Sequence, residues 1–200
     1  MTKKTIEHFF SITSPWTFLG FQRLSEIAAR NGATVIHKPV DLGKVFSVSG
    51  GLPLPKRAPQ RQAYRLVELA RWRTYLGIPI NVQPKFFQVK GWPAAGMVIA
   101  ARERNQDYGT LAHAILRAVW VEERNIDDAA TLEAIAAAQG FDGRALIAAA
   151  ESDAVKKTFE TDTQEAMDRG VFGAPTYIYK GEMFWGQDRL DFLERAVKQG

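Results

Sequence analysis

The sequence predicts an α/β fold that is interrupted by a large helical insertion. Residues 1–46 contain a strand-helix-strand pattern, and residues 152–200 contain a helix-strand-strand-helix pattern. Between them, residues 47–151 begin with a proline-rich loop and then show helical periodicity without a convincing strand. A strand-helix-strand unit implies two parallel strands joined by a right-handed crossover. We therefore expect the two ends of the chain to form one α/β domain and residues 47–151 to form a helical insert domain.

The opening unit is bounded by clear start and stop signals. Residues Lys4–Ile12 alternate apolar and polar side chains, which predicts a strand. Ser14 is a favourable N-cap and Pro15 suits the first helical position, so a helix is expected to begin here and to end at Asn31. A second strand is predicted over Ala33–Val40.

The rest of the chain is mostly helical. After a loop that contains Ser49, Gly50 and Gly51, helices are predicted over Gln60–Leu76, Pro93–Asn105, Thr110–Arg124, Asp128–Gln139 and Asp142–Ala150. The final part is predicted to contain the helix Ser152–Arg169, the strands Pro175–Tyr179 and Met183–Trp185, and the helix Asp188–Lys198.

The composition is that of an ordinary globular protein. The 200 residues include 46% apolar and 24% charged side chains, with a formal net charge of +4. The sequence has no cysteine, which excludes disulfides, a thiolate nucleophile, cysteine-ligated metals and a redox dithiol of the protein's own. If thiol chemistry occurs, the thiol must be borrowed.

The N-terminus does not resemble a signal peptide. Glu7, His8 and Pro15 interrupt its apolar stretch, and no small-residue cleavage site follows. No apolar run approaches the ~20 residues that a membrane span needs. We therefore expect a cytoplasmic protein that has no membrane partner.

Positive charge is concentrated in Lys38–Lys90. This segment has ten basic and two acidic residues, a net charge of +8, whereas the rest of the chain has a net charge of −4. Such an excess can raise the local concentration of an anionic ligand near a cleft. The alternative is a solvated helix face, because several of these residues lie on one predicted helix.

Three boundaries between predicted elements are candidate binding sites. Ser14 begins the segment Ser-Pro-Trp-Thr at the start of the first helix, where free N–H groups and the helix dipole favour a negative charge; the alternative is that it only caps the helix. Pro175 is either a simple edge-strand start or, as a cis bond, a turn that leaves neighbouring backbone groups free to bind a ligand. Asp188 is either an N-cap or a partner for an ammonium group.

Other chemistries lack a sequence motif. His8, His37 and His113 lie on three predicted elements without ligand-type spacing, so we expect no metal site. The sequence contains no Walker-type or GxGxxG phosphate loop and no G-x-S-x-G nucleophile elbow. Nucleic-acid binding by the +8 segment is a weaker alternative, because the aromatic residues within it fall at core spacing. We therefore expect no nucleic-acid partner.

The order of the elements and the three candidate segments together resemble a known family. The fold is similar to the thioredoxin-like fold of DsbA-type proteins, in which the Cys-Pro-x-Cys motif stands where this chain has Ser14-Pro15-Trp16-Thr17. Within that superfamily the chain resembles the 2-hydroxychromene-2-carboxylate isomerases and the kappa-class glutathione transferases, which have a serine in place of the first cysteine. The matching pieces are TSPWTFLGF, RQAYRLVELARW, GVFGAPTYIY and FWGQDRLDFLE.

The resemblance implies glutathione as the borrowed thiol. Ser14 would then donate a hydrogen bond to the glutathione sulfur and favour its thiolate. Ala174, before a cis-Pro175, would pair its backbone with the cysteinyl part of glutathione, and Asp188 would meet the amino group of the γ-glutamyl end. Further residues match positions of the family near the tripeptide or the substrate: Arg61, Trp185, Gly186 and Gln187.

The resemblance implies a glutathione-dependent cis–trans isomerase that acts, by reversible thiolate addition, on a carboxylate intermediate of aromatic-compound degradation. A kappa-type transferase that joins glutathione to electrophiles and a non-catalytic peptide-binding protein are the alternatives. Relatives are usually dimers, so we expect a homodimer. Many relatives have an asparagine where this chain has Gly51. Glycine cannot supply that side-chain hydrogen bond, so the exact substrate stays open.

Overall fold

Four strands form one mixed sheet within residues 3–87 and 89–200, the part of the chain that the computed structural model describes. The strands are β1 Lys4–Phe10, β2 Ala33–Pro39, β3 Thr176–Tyr179 and β4 Glu182–Trp185. Their order across the sheet is β2-β1-β3-β4. β1 and β2 are parallel, whereas β3 is antiparallel to both β1 and β4. The two ends of the chain therefore build one sheet, which confirms the predicted α/β fold.

Helices make up most of the remaining chain. They are α1 Pro15–Arg30, α2 Leu42–Ser49, α3 Pro59–Leu76, α4 Ala94–Glu103, α5 Tyr108–Trp120, α6 Ala129–Ala138, α7 Gly143–Ala150, α8 Asp153–Asp168 and α9 Leu190–Gln199. The sequence predicts each of these except α2. The last helix begins at Leu190 instead of Asp188, because a 3-10 turn at Gln187–Arg189 precedes it.

Helix α2 depends on its cap more than on its composition. Asp41 Oδ1 accepts hydrogen bonds from the N–H groups of Gly43 at 2.8 Å and Lys44 at 3.2 Å. The helix ends at Gly50, whose backbone is left-handed with φ of 74°. Because α2 spans residues 46 and 47, it crosses the predicted boundary between the α/β domain and the insert. That division of the chain stays a prediction.

Apolar packing joins the insert to the sheet. Phe10 of β1 and Leu19 of α1 lie in the same buried cluster as Trp120 of α5. Helix α4 is buried at every residue from Ala94 to Ala101 and lies in this cluster too. The packing holds α1 between the sheet and the insert and places it against α3.

None of the helices within residues 3–87 and 89–200 has both the length and the apolar character needed to cross a membrane.

Candidate functional site

Ser14 caps the N-terminus of α1. Its Oγ accepts a hydrogen bond from the Thr17 N–H at 3.2 Å, and Pro15 occupies the first helical turn. The Ser14 residue is only 8% exposed. Because Oγ acts as an acceptor in this contact, its own hydrogen is available for donation to a ligand. The first turn of α1, all of it described, has no acidic residue, so the positive end of the helix dipole is not neutralised there.

A cleft with two lobes opens beside Ser14. The lobes have volumes of about 730 Å³ and about 500 Å³ and share several lining residues. Ser14 lines the larger lobe, and Gln187 and Asp188 line the smaller lobe together with Gly186. Three other predicted residues line both lobes: Arg61, Ala174 and Trp185. The fold therefore brings the predicted residues around one cleft, while their roles stay predictions.

The peptide bond between Ala174 and Pro175 is cis, the second of the two alternatives left open by the sequence and the one that the resemblance implies. Pro175 is buried, and its carbonyl accepts a hydrogen bond from the Gly186 N–H at 2.9 Å. The N–H and carbonyl of Ala174 have no hydrogen-bond partner among the described residues. Because Ala174 also lines the cleft, its backbone can pair with an extended ligand there.

Gln187 and Asp188, which follow β4, differ in burial and in their bonding partners. The Gln187 side chain is 2% exposed, and its Oε1 accepts a hydrogen bond from Arg23 Nη1 at 2.9 Å. Gln187 is thus already bonded within the protein and borders the cleft mainly as part of its wall. Asp188 Oδ2 is paired with Arg189 Nη1 at 2.8 Å on the exposed side. Gly186 has φ of 103°, and a Cβ there would overlap the Asp188 carboxylate, so only glycine fits this turn.

Arg57, Arg61 and Arg65 follow one another at intervals of four residues, and all three line both lobes. None of them forms an ion pair with a described residue. Burial, and then the adjacent Arg57, lower the pKa of Arg65 to about 10. Burial, and then Arg61, also lower the pKa of Arg57. The resemblance marks only Arg61 of these three residues. The i, i+4, i+8 spacing in the sequence is the signal that would have indicated Arg57 and Arg65 as well.

Other basic residues of the Lys38–Lys90 segment form ion pairs within the fold. Lys38 Nζ is bonded to Glu7 at 2.9 Å and to Glu165 at 2.7 Å, and Arg71 is paired with Glu68 at 2.6 Å. These cations are neutralised within the fold. The cationic character of the cleft therefore comes from the three arginines of α3 and its approach.

Gly51 lets an aromatic ring enter the cleft wall. A Cβ at this position would overlap the ring of Phe46 in α2. Phe46 and Gly51 both line the larger lobe, and the Arg57 guanidinium lies 6.0 Å from the Phe46 ring centroid. The space beside Gly51, where a longer side chain would lie, is thus occupied by a phenylalanine ring.

His8 and His37 meet inside the sheet. They are partners in the β1–β2 register, and their Nδ1 atoms are 2.8 Å apart. This contact was not expected from the sequence, because the two lie far apart along the chain. Both are buried, and the described residues include no group of three or more metal-ligating side chains.

Comparisons with known proteins match nearly the whole chain. The family model described as a DSBA-like thioredoxin domain matches residues 5–198. A 2-hydroxychromene-2-carboxylate isomerase from Sphingobium xenophagum is 28% identical over 96% of both chains. Glutathione S-transferase kappa 1 from Rattus norvegicus is 26% identical, over 95% of this chain and 89% of that protein.

A solved structure of one such isomerase also matches this fold over nearly its whole length. It is that of a 2-hydroxychromene-2-carboxylate isomerase, with a TM-score of 0.85 and 27% identity. The match covers 98% of this chain and 95% of the other.

Proposed function

Because the chain belongs to the family of DsbA-like thioredoxin-domain proteins, we propose that it is a glutathione-dependent isomerase that interconverts the cis and trans forms of an unsaturated carboxylate derived from an aromatic compound. The observation that supports this most is the position of Ser14: a hydroxyl at a helix N-terminus lines a cleft that also contains three arginines without an ion pair to any described residue. The relatives named as isomerases, which match over 96% of the chain, support the same reaction class.

The cleft has the groups that glutathione requires. The tripeptide has two carboxylates, one ammonium group and a thiol on an extended backbone. Arg61 offers a cation at both lobes, and Asp188 offers a carboxylate that it shares with Arg189. Ala174 offers a backbone N–H and carbonyl that have no partner among the described residues. These residues would hold the tripeptide across the cleft so that its thiol faces Ser14.

Bound glutathione would supply a thiolate that adds to a conjugated double bond and leaves again after rotation about the resulting single bond. Ser14 favours the ionised sulfur because its hydroxyl can donate a hydrogen bond while Oγ accepts from Thr17 N–H. The N-terminus of α1 adds a positive potential at the same point. Ser14 itself forms no covalent bond to the substrate.

The three arginines of the cleft would stabilise the negative charge that develops on the substrate. An α,β-unsaturated carbonyl gains negative charge on its oxygen when a nucleophile adds to the double bond. Arg57, Arg61 and Arg65 line the same lobe as Ser14, so their positive charges would stabilise that oxygen. Trp16, Phe46 and Phe172 supply apolar wall that keeps water from the reacting carbons.

The proposed function is tested with 2-hydroxychromene-2-carboxylate and purified protein. We expect the spectrum of the acid to move to its cis–trans equilibrium only when glutathione is present, and the concentration of free glutathione to stay constant. Lack of equilibration in the presence of both protein and glutathione would refute the proposal.

A kappa-type transferase is the second candidate, favoured by the 26% identity to glutathione S-transferase kappa 1. The same Ser14 would ionise glutathione, but the sulfur would stay bonded to an electrophile. Stoichiometric loss of the thiol with a halogenated nitrobenzene as electrophile would identify this activity. A peptide-binding protein without catalysis would instead show no preference for glutathione over other tripeptides.

We place the protein in the cytoplasm as part of this proposal, because reduced glutathione is maintained there.

A further inference from the structure

Arg65 differs from Arg57 and Arg61 in its contacts: its guanidinium lies against aromatic rings and is partly buried. Its guanidinium lies 4.8 Å from the ring centroid of Phe87 and 5.8 Å from that of Trp120. Its Nη2 is buried and has no hydrogen-bond partner among the described residues. Arg57 by contrast donates Nε to the Leu52 carbonyl at 2.7 Å, and Arg61 is exposed.

A buried N–H donor of a cation is costly when it is left without an acceptor. The aromatic faces of Phe87 and Trp120 attract the guanidinium but cannot accept in-plane N–H hydrogen bonds. Because Arg65 lines both lobes, an acceptor that enters from the cleft would reach its guanidinium, and an anion would compensate the buried charge best.

The surroundings of Arg65 define the ligand further. Arg65 lines the larger lobe together with Ser14, the residue that faces the thiol. Phe46 and Phe87 are also part of this lobe. A ligand that fills it must place apolar surface against these rings and one anionic group against the guanidinium.

We propose that Arg65 binds the carboxylate of the substrate and so restricts the enzyme to acids that combine one carboxylate with a flat apolar body. This inference rests on the proposed function. The guanidinium fork matches a carboxylate with two parallel hydrogen bonds, which a neutral amide cannot reproduce. Arg65 would therefore set specificity for the acid, while the glutathione carboxylates are met elsewhere.

The carboxylate that Arg65 binds could belong to the substrate or to glutathione, and two titrations distinguish them. The probe for the first is 3-phenylpropionate, an aryl acid with no double bond to which a thiol could add, compared with its neutral amide. Binding of both is measured by calorimetry to protein saturated with glutathione. Binding of glutathione alone is measured in a separate titration.

We expect the wild-type protein to bind the acid at least roughly tenfold more tightly than the amide, since a charge-assisted hydrogen bond is worth this much or more. Arg65→Gln should remove the preference and leave glutathione affinity unchanged. Arg65→Lys should retain part of the preference, because lysine keeps the charge without the fork. Arg73→Gln is the matched control: Arg73 is an exposed arginine of α3 that does not line the cleft.

The inference is overturned if wild-type protein does not discriminate between acid and amide, or if Arg65→Gln still does so. A loss of glutathione affinity in Arg65→Gln with an intact acid preference would assign Arg65 to glutathione instead. Circular dichroism confirms that each variant is folded before it is compared. These binding results do not depend on turnover, so failure of the isomerase assay and failure of this assignment are distinguishable.

Discussion

At Ser14 a single hydroxyl has two possible tasks, capping α1 and stabilising a thiolate. We expect Ser14→Ala to lower turnover by ~10²-fold or more, as removal of one preorganised donor does at other charged reaction centres. Glutathione should still bind. The direct measurement is the ultraviolet absorbance of the bound thiolate near neutral pH, which should fall in the variant.

Ser152 provides the matched control for the capping role. It caps α8 in the same way, with Oγ accepting from the Val155 N–H at 3.3 Å. Ser152→Ala and Ser14→Ala should each cost about 0.5–2 kcal/mol of stability, but only the latter should lose thiolate absorbance and activity. An equal thiolate fraction in wild type and Ser14→Ala would show that Ser14 is a cap alone.

Gly51 and Phe46 form a complementary pair in the cleft wall. Gly51→Asn, which introduces the residue that the resemblance leads us to expect there, should force the Phe46 ring out of its position. It should destabilise the protein by about 1–3 kcal/mol, the usual cost of overpacking. The double variant Phe46→Ala, Gly51→Asn should recover much of that loss because the new side chain then has room. Urea denaturation of wild type, both single variants and the double variant measures the coupling. Strictly additive effects would contradict the proposed contact.

At the scale of elements, the buried histidine pair joins β1 to β2. Burial, and then the adjacent His37, lower the pKa of His8 well below its usual range. Burial lowers the pKa of His37 to about 3, with opposing contributions from Asp107 and Arg102. Both rings are therefore neutral in the folded protein at neutral pH, and the short Nδ1–Nδ1 contact requires one ring to donate and the other to accept.

This pair predicts loss of stability in acid. Below pH about 6.5 the unfolded chain protonates its histidines while the folded protein does not, so the free energy of unfolding is at its full value above that pH and falls as the pH is lowered. Each histidine should contribute about 1.4 kcal/mol per pH unit until its folded pKa is reached. Urea denaturation between pH 7 and 5 measures how steeply the free energy of unfolding changes with pH, in a range where most carboxylates do not yet titrate. His37→Asn, which keeps a polar partner for His8, should give a shallower slope; an unchanged slope would contradict the assignment.

At the scale of the whole molecule, the features that could be predicted are those determined by residues close together in the sequence. The Ser14-Pro15 start of α1 has a strong local signal and is as predicted. At Pro175 the local sequence left two alternatives open, and the structure has the cis bond that the resemblance implied. Helix α2 has capping signals at Asp41 and Gly50, but its eight residues include Gly43 and the β-branched Val45, so it lacks the helical composition that would have predicted it.

The features that could not be predicted from the sequence, both in the cleft and in the sheet, depend on long-range contacts. Arg65 resembles any other basic residue of α3 until the fold brings Phe87 and Trp120 over it. The contact of His8 with His37 follows only from the register of β1 and β2. The resemblance marks Gly51 as a departure, but the ring that packs against it belongs to Phe46 of α2, an element that the sequence does not predict.

The expected homodimer requires an exposed apolar surface, and α3 has one. Tyr64, Val67 and Tyr75 lie on one face of α3 and are 58%, 46% and 79% exposed. Helix α4, although more apolar, is buried from Ala94 to Ala101 and offers no surface for a partner. Exposed aromatic residues on a helix face are typical of protein interfaces, so we expect two copies to associate through α3.

Sedimentation equilibrium at micromolar concentration measures the association. Wild-type protein should sediment at twice the 22.3 kDa mass of one chain, and Tyr75→Lys should shift it toward the monomer because a charge would be buried at the contact. Phe192→Lys is the control, since Phe192 is 57% exposed on α9 and lies outside the α3 face. A wild-type monomer would exclude the dimer. Such a result would leave the Ser14 chemistry intact, because every residue placed around the cleft belongs to a single chain.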